Sequence, residues 1–285
     1  MSVITVYEPV PNRVRSLVRI VAATGPLGRD DLTAHLMPGP QPKRDQVGNI
    51  IREAVHLRLL VETDNRGVEL AEGIRPRDVA NDEWFAAFLE RALFARPLDE
   101  GDENRSVSFA TAWLLTRPAT PEFDWRSDLA KAMREDMEGG DIYDVTNVDR
   151  SAMLAYWVRF TGYGEALSCA GRTFLVPDPT RAIARQLGDL LPAGMMVSVP
   201  RFLEGLAHRM PVLETGVVRT QVEARLRRKR DPATLSPATS LALLRLELRG
   251  FIVMRDESDA EPRLLDLAAD GTRRVTHISS PRIRA

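Results

Sequence analysis

Hydrophobic residues recur at helical spacing along most of the chain, and short runs of β-branched and aromatic residues separate the helical segments. The clearest example lies near the C-terminus. Ser236 and Pro237 supply an N-cap and a first helical position, and Gly250 supplies the left-handed backbone that ends a helix. Residues 251–254 then predict a strand, and residues 263–267 predict its return strand. A helix followed at once by a hairpin is the second half of a winged helix.

The N-terminal segment repeats this pattern. Residues 14–21 place hydrophobic side chains at helical spacing, residues 29–37 predict a shorter helix, and a third helix follows the turn at residues 38–40. Residues 59–62 and 68–70 predict two strands joined by an Asn-x-Gly turn. Three helices and a hairpin again predict a winged helix.

The middle of the chain has mainly helical periodicity, with aromatic residues on the apolar faces. The predicted fold class is therefore mainly α with small β wings, in which tandem winged-helix domains at the two ends flank a helical middle domain. The N-terminal winged helix occupies residues 1–75. A mostly helical acidic domain with a hairpin near 166–176 occupies residues 76–198, and a C-terminal winged helix with a basic second helix occupies residues 199–285.

The charge is distributed unevenly along the sequence. The net charge of the whole chain is -1, but residues 76–150 carry 9 basic and 17 acidic residues, a net charge of -8. Residues 11–75 carry 10 basic and 8 acidic residues (+2), and residues 201–285 carry 16 and 11 (+5). Because a polyanion is attracted to basic surfaces, we expect any nucleic acid to contact the terminal domains.

The composition also limits the environment of the protein. Its 285 residues are 44% hydrophobic and 28% charged, which suits two or three small globular domains. Cys169 is the only cysteine, so an internal disulfide and a multi-cysteine zinc site are excluded. The sequence contains neither a signal peptide pattern nor an apolar run of membrane-spanning length. We therefore expect a cytoplasmic protein without membrane contact.

The predicted third helix and wing of the N-terminal domain carry candidate DNA contacts. Winged helices usually place the third helix in the major groove and the wing against the backbone. The side chains placed to meet DNA are Lys43, Arg44, Asn49, Arg52 and Arg66. Asp45 and Glu53 share the face and weaken its positive field, so a solvated face of a protein-binding winged helix is the alternative.

Positive charge is denser on and after the predicted second helix of the C-terminal domain, residues 215–229. The candidate DNA-binding residues there are Arg219, Arg225, Arg227, Arg228, Lys229 and Arg230. Closely spaced cations attract phosphates in a salt-sensitive way, without reading base sequence. The alternative is a solvated helix C-terminus, where the helix dipole favours cations.

The sequence contains few candidates for catalysis. It lacks the Gly-Lys-Ser/Thr loop of nucleotide-binding proteins and the G-x-S-x-G elbow of hydrolases. No lysine follows an acidic residue at the spacing that restriction-type nucleases use, and the four histidines lie far apart. We therefore expect no enzyme activity, no cofactor and no bound metal. A carboxylate site assembled only in space is the weakest alternative, from Asp124, Asp128, Glu135 and Asp136.

Several short segments resemble the bacterial DpdG family over nearly the whole chain. They are Pro11-Asn12-Arg13-Val14, residues 175–182, residues 203–213, residues 235–250, Ser258-Asp259-Ala260 and Thr276-His277-Ile278-Ser279. Proteins of that family belong to gene clusters that insert 7-deazaguanine derivatives into DNA and restrict unmodified foreign DNA. The resemblance implies an accessory protein of such a cluster, and it carries over no catalytic residue.

These observations predict a DNA-binding, non-catalytic accessory component of a bacterial DNA-modification and anti-phage restriction system. The expected partners are double-stranded DNA and other proteins of the same defence cluster, and a homodimer is left open. The rival hypothesis is a winged-helix protein-interaction scaffold in a multi-subunit complex, without direct DNA contact. The acidic middle and the near-neutral total charge favour this rival. A third hypothesis, a metal-dependent nuclease, depends on the carboxylates named above.

Overall fold

A computed structural model gives the fold of the chain, just over half of which is helical. The strands form small antiparallel sheets of two or three strands, so the predicted combination of helices with small β elements is confirmed. The structure describes residues 3–4, 8–39, 45–64, 67–94, 98, 104–124, 129–139, 145, 147–258, 260–268 and 271–281.

The N-terminal elements follow the order helix, strand, helix, helix, strand, strand. They are α1 (Pro11–Thr24), β1 (Leu27–Gly28), α2 (Arg29–Leu36), α3 (Gln46–His56), β2 (Leu60–Glu62) and β3 (Gly67–Leu70). The sheet has the order β1-β3-β2. Asp45 caps α3 because its Oδ1 accepts a hydrogen bond from the Gly48 N–H at 2.9 Å. A side chain at position 48 would overlap with this carboxylate, so the cap depends on glycine.

The middle segment is mainly helical and contains most of the large buried aromatic residues. Its elements are α4 (Pro76–Ala80), α5 (Asp82–Phe94), α6 (Arg105–Leu114), β4 (Phe123–Asp124), α7 (Leu129–Asp136), α8 (Val148–Thr161), β5 (Gly164–Cys169) and β6 (Arg172–Pro177). The hairpin predicted near residues 166–176 consists of β5 and β6, and β4 adds a third strand beside β6. Trp113, Trp157 and Phe85 are fully buried and pack in the hydrophobic core. Their burial stabilises the segment against which the C-terminal elements pack.

The C-terminal elements continue without a long connection. They are α9 (Thr180–Leu190), β7 (Met196–Ser198), α10 (Val199–Arg209), α11 (Val217–Arg225), α12 (Pro237–Leu248), β8 (Val253–Arg255), β9 (Arg263–Asp266), β10 (Thr272–Val275) and β11 (His277–Ser279). Ser236 caps α12 as predicted, since its side chain accepts a hydrogen bond from the Thr239 N–H. Gly250 follows the helix with a φ of 73°.

The predicted return strand of the C-terminal hairpin is wrong. Residues 263–266 pair with residues 272–275, whereas β8 pairs with β11. The sheet order is β7-β11-β8, so Ile278 lies opposite both Met254 and Val197. These three side chains are buried and form one apolar row, which explains why the more distant strand is the partner of β8.

Apart from α11 and the β9-β10 hairpin, the same element order occurs at both ends of the chain. In the C-terminal part, α9 packs against α10 and α12, and β7 lies in the same sheet as β8 and β11. We therefore take α9 as the first helix of the C-terminal unit. Helix α11 is an additional element, and it packs on α6 of the middle segment. In the described part of the chain, no helix combines the length and the apolarity needed to cross a bilayer.

Candidate nucleic-acid interface

The basic C-terminal cluster lies on α11 and on the segment that follows it, residues 226–230, which we call the basic loop. Helix α11 ends at Arg225 because Leu226 adopts an extended conformation and forms an antiparallel bridge with Met137. The Arg227 N–H donates to the Asp136 carbonyl at 2.9 Å, and the Glu138 N–H donates to the Arg225 carbonyl at 2.8 Å. These main-chain bonds fix the basic loop against the C-terminal end of α7.

Arg219 is fully buried between α11 and α6. Its Nε donates to Glu223 Oε1 at 2.8 Å, and its Nη1 donates to the Ala112 carbonyl at 3.2 Å. Its Nη2 lies 3.8 Å from Glu214 Oε1. A buried guanidinium does not reach a phosphate, so we leave Arg219 out of the interface and assign it to the packing of α11 on α6.

Arg230 is held by carboxylates within the chain. Its Nη2 lies 2.9 Å from Glu214 Oε2 and 3.2 Å from Glu223 Oε1. Glu214 is almost completely buried and also accepts a hydrogen bond from the Ser236 N–H at 2.8 Å. Burial disfavours the charged form of Glu214, but Arg219, Arg230 and the hydrogen bonds from Ser236 outweigh it and lower the pKa of this carboxyl.

The lowered pKa of Glu214 predicts a loss of stability in acid. A carboxyl whose folded pKa lies below its unfolded value stabilises the fold above the unfolded pKa, and this contribution is lost as the pH falls through the folded pKa. We expect Glu214→Gln to lower the free energy of unfolding at pH 7 by about 1–3 kcal/mol. The difference between wild type and variant should shrink below about pH 4.5, the usual glutamate value. Urea unfolding at pH 7 and at a pH below about 4.5 measures this difference in the free energy of unfolding. An equal difference at the two pH values would contradict the lowered pKa of Glu214.

Lys229 and Arg225 make contacts that stabilise α11. The Lys229 ammonium donates to the carbonyls of Glu223 and Ala224, at 2.8 and 2.7 Å, and so satisfies the C-terminal end of the helix. The Arg225 guanidinium carbon lies 5.0 Å from the centroid of the Phe109 ring, a cation–π distance. Lys229 therefore makes the contact expected from the alternative interpretation, in which these cations lie at the C-terminal end of a helix.

Arg227 and Arg228 are the exposed guanidinium groups of the basic loop. Arg227 uses its Nε to donate to the Met137 carbonyl at 3.0 Å. Within the part of the chain that the structure describes, Arg228 has no hydrogen bond or ion pair. Since Lys229 is also exposed, the loop presents three consecutive cations to solvent on a backbone fixed by hydrogen bonds.

The basic loop forms one wall of a cleft of about 790 Å³. The lining also contains Thr116, Arg117, Glu135 and Asp136. The lining includes five cations and three carboxylates, a net charge of +2; the cations are Arg117, Arg227, Arg228, Lys229 and Arg230, and the carboxylates are Glu135, Asp136 and Glu223.

Each carboxylate in the cleft already has a basic partner. Asp136 Oδ2 lies 2.6 Å from Arg117 Nη1 and accepts a hydrogen bond from Trp113 Nε1 at 3.0 Å. Glu223 pairs with the two arginines described above, and Glu135 lies 4.0 Å from Lys131. The exposed cations of the basic loop are therefore not neutralised by these acids, and their field remains available to an anion.

The candidate DNA-binding residues of the N-terminal unit lie in surroundings that are less favourable for binding an anion. Lys43, Arg44 and Arg66 lie outside the described residues. Asn49 donates to Glu8 Oε2 at 3.1 Å and accepts a hydrogen bond from Arg52, so both predicted contacts on α3 are engaged within the chain. A groove of about 820 Å³ between α2, α3 and the hairpin has two arginines in its described lining. It also has four carboxylates, which are Asp30, Asp31, Asp45 and Glu62.

Helix α12, the third helix of the C-terminal unit, is covered along most of its length. It packs against α9 on one side and β9 on another, and Ala238, Leu243 and Leu246 are fully buried. Arg245 forms an ion pair with Asp178, the residue two positions before α9. We infer that the basic loop, and not α12, is the surface of this unit best suited to a polyanion.

The described carboxylates of the nuclease hypothesis, Asp124, Glu135 and Asp136, are not part of a group of three that could hold a metal ion. Asp128 lies outside the described residues. Asp124 pairs with Arg172 at 2.9 Å, whereas Asp136 pairs with Arg117 in the cleft. Among the residues that the structure describes, no group of three histidine, cysteine, aspartate or glutamate side chains is close enough to hold a metal ion.

The fold and the cleft define a class of protein: a mainly helical chain with small antiparallel sheets near both ends and a cation-lined cleft between its middle and C-terminal segments. A family model described as DpdG-like matches residues 1–260, and the chain belongs to this family. The family predicted from the short sequence segments is thereby confirmed. Membership links the protein to the 7-deazaguanine DNA-modification system. Neither the curated proteins nor the solved structures gave a match.

Proposed function

We propose that this protein is a DNA-binding, non-catalytic accessory component of a bacterial 7-deazaguanine DNA-modification and restriction system. It would act together with other proteins of the same defence cluster. The observation that carries the proposal is the basic loop: Arg227, Arg228 and Lys229 are exposed beside a cleft whose carboxylates are already paired. The family supports the cellular setting, and the loop supports the contact with DNA.

The basic loop suits phosphates for two physical reasons. Its backbone is held by hydrogen bonds to α7, so little conformational entropy is lost when an anion binds. Arginine also presents a planar fork of donors that matches the oxygens of a phosphate. Contacts of this kind hold DNA in place but do not read its sequence. The proposed role is therefore to attach the assembly to DNA, while other components choose the site.

We also propose that both terminal units are winged helices. Each has the order helix, strand, helix, helix, strand, strand, and in each sheet the third strand lies between the first and the second. The C-terminal unit adds α11 between its second and third helices and the β9-β10 hairpin between its last two strands. The added helix is what brings the basic loop to the cleft, which sets this unit apart from the N-terminal one.

The pairing of the cleft carboxylates supports a binding role over a catalytic one. A metal-dependent nuclease needs carboxylates that are free to ligate its metal ions. Here Asp136 and Glu223 are held by arginines at distances of 2.6–3.2 Å. Incubation of the protein and plasmid with magnesium or manganese tests this part of the proposal, and cleavage of the plasmid would contradict it.

A protein-interaction scaffold is the second candidate, and the outer face of the C-terminal sheet favours it. Val253 lies opposite Ser279, which lies opposite Met196, so that Val253 and Met196 share one face of the sheet. Both are exposed, as are Phe251 and Leu248, the latter to 84%. Exposed apolar patches of this kind often mark contacts with other proteins. A scaffold of this type would bind its partner and show no affinity for DNA.

A titration of fluorescently labelled duplex DNA of about 30 base pairs tests the proposed function. We expect the duplex to bind at low salt, and duplexes with and without 7-deazaguanine bases to bind within about two-fold of each other, because phosphate contacts carry no base information. Fluorescence anisotropy measures both affinities. The absence of binding at low salt would favour the scaffold, and a large preference for one duplex would show that bases are read directly.

A further inference from the structure

Exposed hydrophobic side chains are concentrated at the C-terminal sheet. In the described part of the chain ten large hydrophobic side chains are exposed, and five of them lie on or beside this sheet: Met195, Met196, Leu248, Phe251 and Val253. The other five are spread over β2, α8, β5 and α11. Single exposed hydrophobic residues are normal, whereas a group of them marks a contact surface.

The exposed residues around β8 lie on the outer face of the sheet. Phe251, Val253 and Arg255 are exposed, and the two residues that alternate with them, Ile252 and Met254, are buried. This alternation is typical of a strand with one face in the core. The apolar residues Phe251 and Val253 therefore share the outer face with a basic residue.

The pairing register places the hydrophobic and basic residues in neighbouring rows. Ser279 lies opposite both Val253 and Met196. Two positions away along the strands, His277 lies opposite Arg255. The outer face thus has one row with hydrophobic side chains and, next to it, one row that carries positive charge.

The arginines of this surface are only weakly neutralised. Arg249 follows α12 and is exposed, and within the described chain its side chain makes no hydrogen bond or ion pair. Arg255 lies 3.9 Å from Glu257, and both side chains are about half exposed. Exposed pairs of this kind are weak, so the positive charge remains available to an acidic partner.

Hydrogen bonds fix the backbone of this surface before any partner binds. The Phe251 N–H donates to the Leu246 carbonyl, and the Gly250 N–H donates to the Glu247 carbonyl, both at 2.9 Å. The Met254 N–H donates to Glu247 Oε1 at 2.9 Å. A partner would therefore meet a surface that loses little conformational entropy on binding.

The chemistry of this surface favours a protein of opposite charge as its partner. Phenylalanine, methionine and arginine are the residue types that are enriched in protein interfaces. A second copy of the chain would bring the same arginines to the contact, and like charges facing each other disfavour association. A segment with hydrophobic side chains and carboxylates complements both rows.

We propose that the outer face of the C-terminal sheet binds an acidic amphipathic segment of another protein. This inference rests on the part of the proposed function in which the protein acts together with other proteins, and it is independent of DNA contact. The basic loop, residues 226–230, shares no residue with this surface. We therefore expect that the protein holds DNA and its partner at the same time.

Two labelled synthetic peptides test the chemistry of the partner. Each is a helix of about 18 residues with leucine on one face; the other face carries glutamate in the first peptide and lysine in the second. We expect the glutamate peptide to bind about ten-fold more tightly, measured by fluorescence anisotropy. Arg249→Glu should weaken the glutamate peptide and strengthen the lysine peptide. Equal binding of the two peptides to wild type would overturn the inference.

Substitutions of the exposed hydrophobic residues test the location. Leu248→Gln with Phe251→Gln should weaken the glutamate peptide by about ten-fold or more. The matched control is Val61→Gln with Leu167→Gln, two residues of similar exposure on other sheets, which should change the affinity less than about two-fold. If the first variant melts far below wild type, Met196→Gln on β7 replaces it. Equal affinities of wild type and the outer-face variants would overturn the inference.

Two further measurements separate this inference from its alternatives. Sedimentation of wild type as a dimer, and of the outer-face variant as a monomer, would show that a second copy occupies the face and would overturn the inference. The outer-face variant should bind duplex DNA within about two-fold of wild type. If wild type binds the glutamate peptide but no duplex, DNA binding fails and the inference stands. If it binds the duplex but neither peptide, the inference fails and DNA binding stands.

Discussion

Replacement of Arg219 by alanine is expected to lower the free energy of unfolding by about 3–5 kcal/mol, the usual cost of breaking a buried ion pair. The change removes the hydrogen bond to the Ala112 carbonyl and two contacts with carboxylates, and it leaves a cavity between α11 and α6. Because α11 positions the basic loop, the cleft should be disturbed as well. Thermal unfolding should show a fall in Tm of roughly 6–15 °C.

A matched arginine provides the control for this prediction. Arg228 is exposed, and in the described part of the chain it makes no ion pair, so Arg228→Ala should change the free energy of unfolding by less than about 0.5 kcal/mol. The two variants lose the same side chain from the same region. A melting temperature of Arg219→Ala within two degrees of wild type would show that the buried guanidinium does not hold α11 in place.

The double variant Arg227→Glu with Arg228→Glu is expected to bind duplex DNA about 10- to 100-fold more weakly than wild type at about 0.1 M salt. Both side chains are exposed at the edge of the cleft, and each reversal replaces attraction to phosphates by repulsion. Arg228→Glu alone should produce a smaller loss. This single variant is useful because Arg227 also donates to the Met137 carbonyl, whereas Arg228 has no hydrogen bond or ion pair to lose within the described chain.

The control for charge reversal changes the total charge by the same amount as the test variant does. Arg201→Glu with Arg249→Glu changes two exposed arginines outside the cleft lining and alters the net charge by the same amount. We expect this variant to bind within about three-fold of wild type, since exposed charges more than about 10 Å apart are largely screened at this salt concentration. Equal losses in both double variants would mean that overall charge, and not the basic loop, determines the affinity.

Single helices and hairpins of this fold could be predicted from the sequence, because residues within each element mark its ends or its turn. Ser236, Pro237 and Gly250 mark the two ends of α12, and the hairpin of β5 and β6 turns at Ala170 and Gly171, both with positive φ. Strand pairing over a distance could not be read in the same way. The partner of β8 is β11, more than twenty residues later, and the intervening β9-β10 hairpin offers a nearer strand.

The candidate site could be predicted only in part, because the sequence does not show contacts between distant residues. The sequence located the dense positive charge after α11, but it could not show which cations are already used within the chain. Arg219 follows the buried Val218 and stands four residues before Glu223, a spacing that allows the ion pair observed. That spacing predicts the ion pair, but it does not predict that Arg219 faces inward. The ion pair between Arg117 and Asp136 joins the residues after α6 to the end of α7, and no local pattern reveals it.

The salt dependence of duplex binding tests the central claim most directly. The three exposed cations of the basic loop, Arg227, Arg228 and Lys229, predict that the logarithm of wild-type affinity falls with the logarithm of salt concentration with a slope of about -2 to -3. The slope of the Arg227→Glu with Arg228→Glu variant should be smaller in magnitude by about 2. Undetectable wild-type binding at low salt, or equal slopes for both proteins, would contradict the assignment of DNA contact to the basic loop.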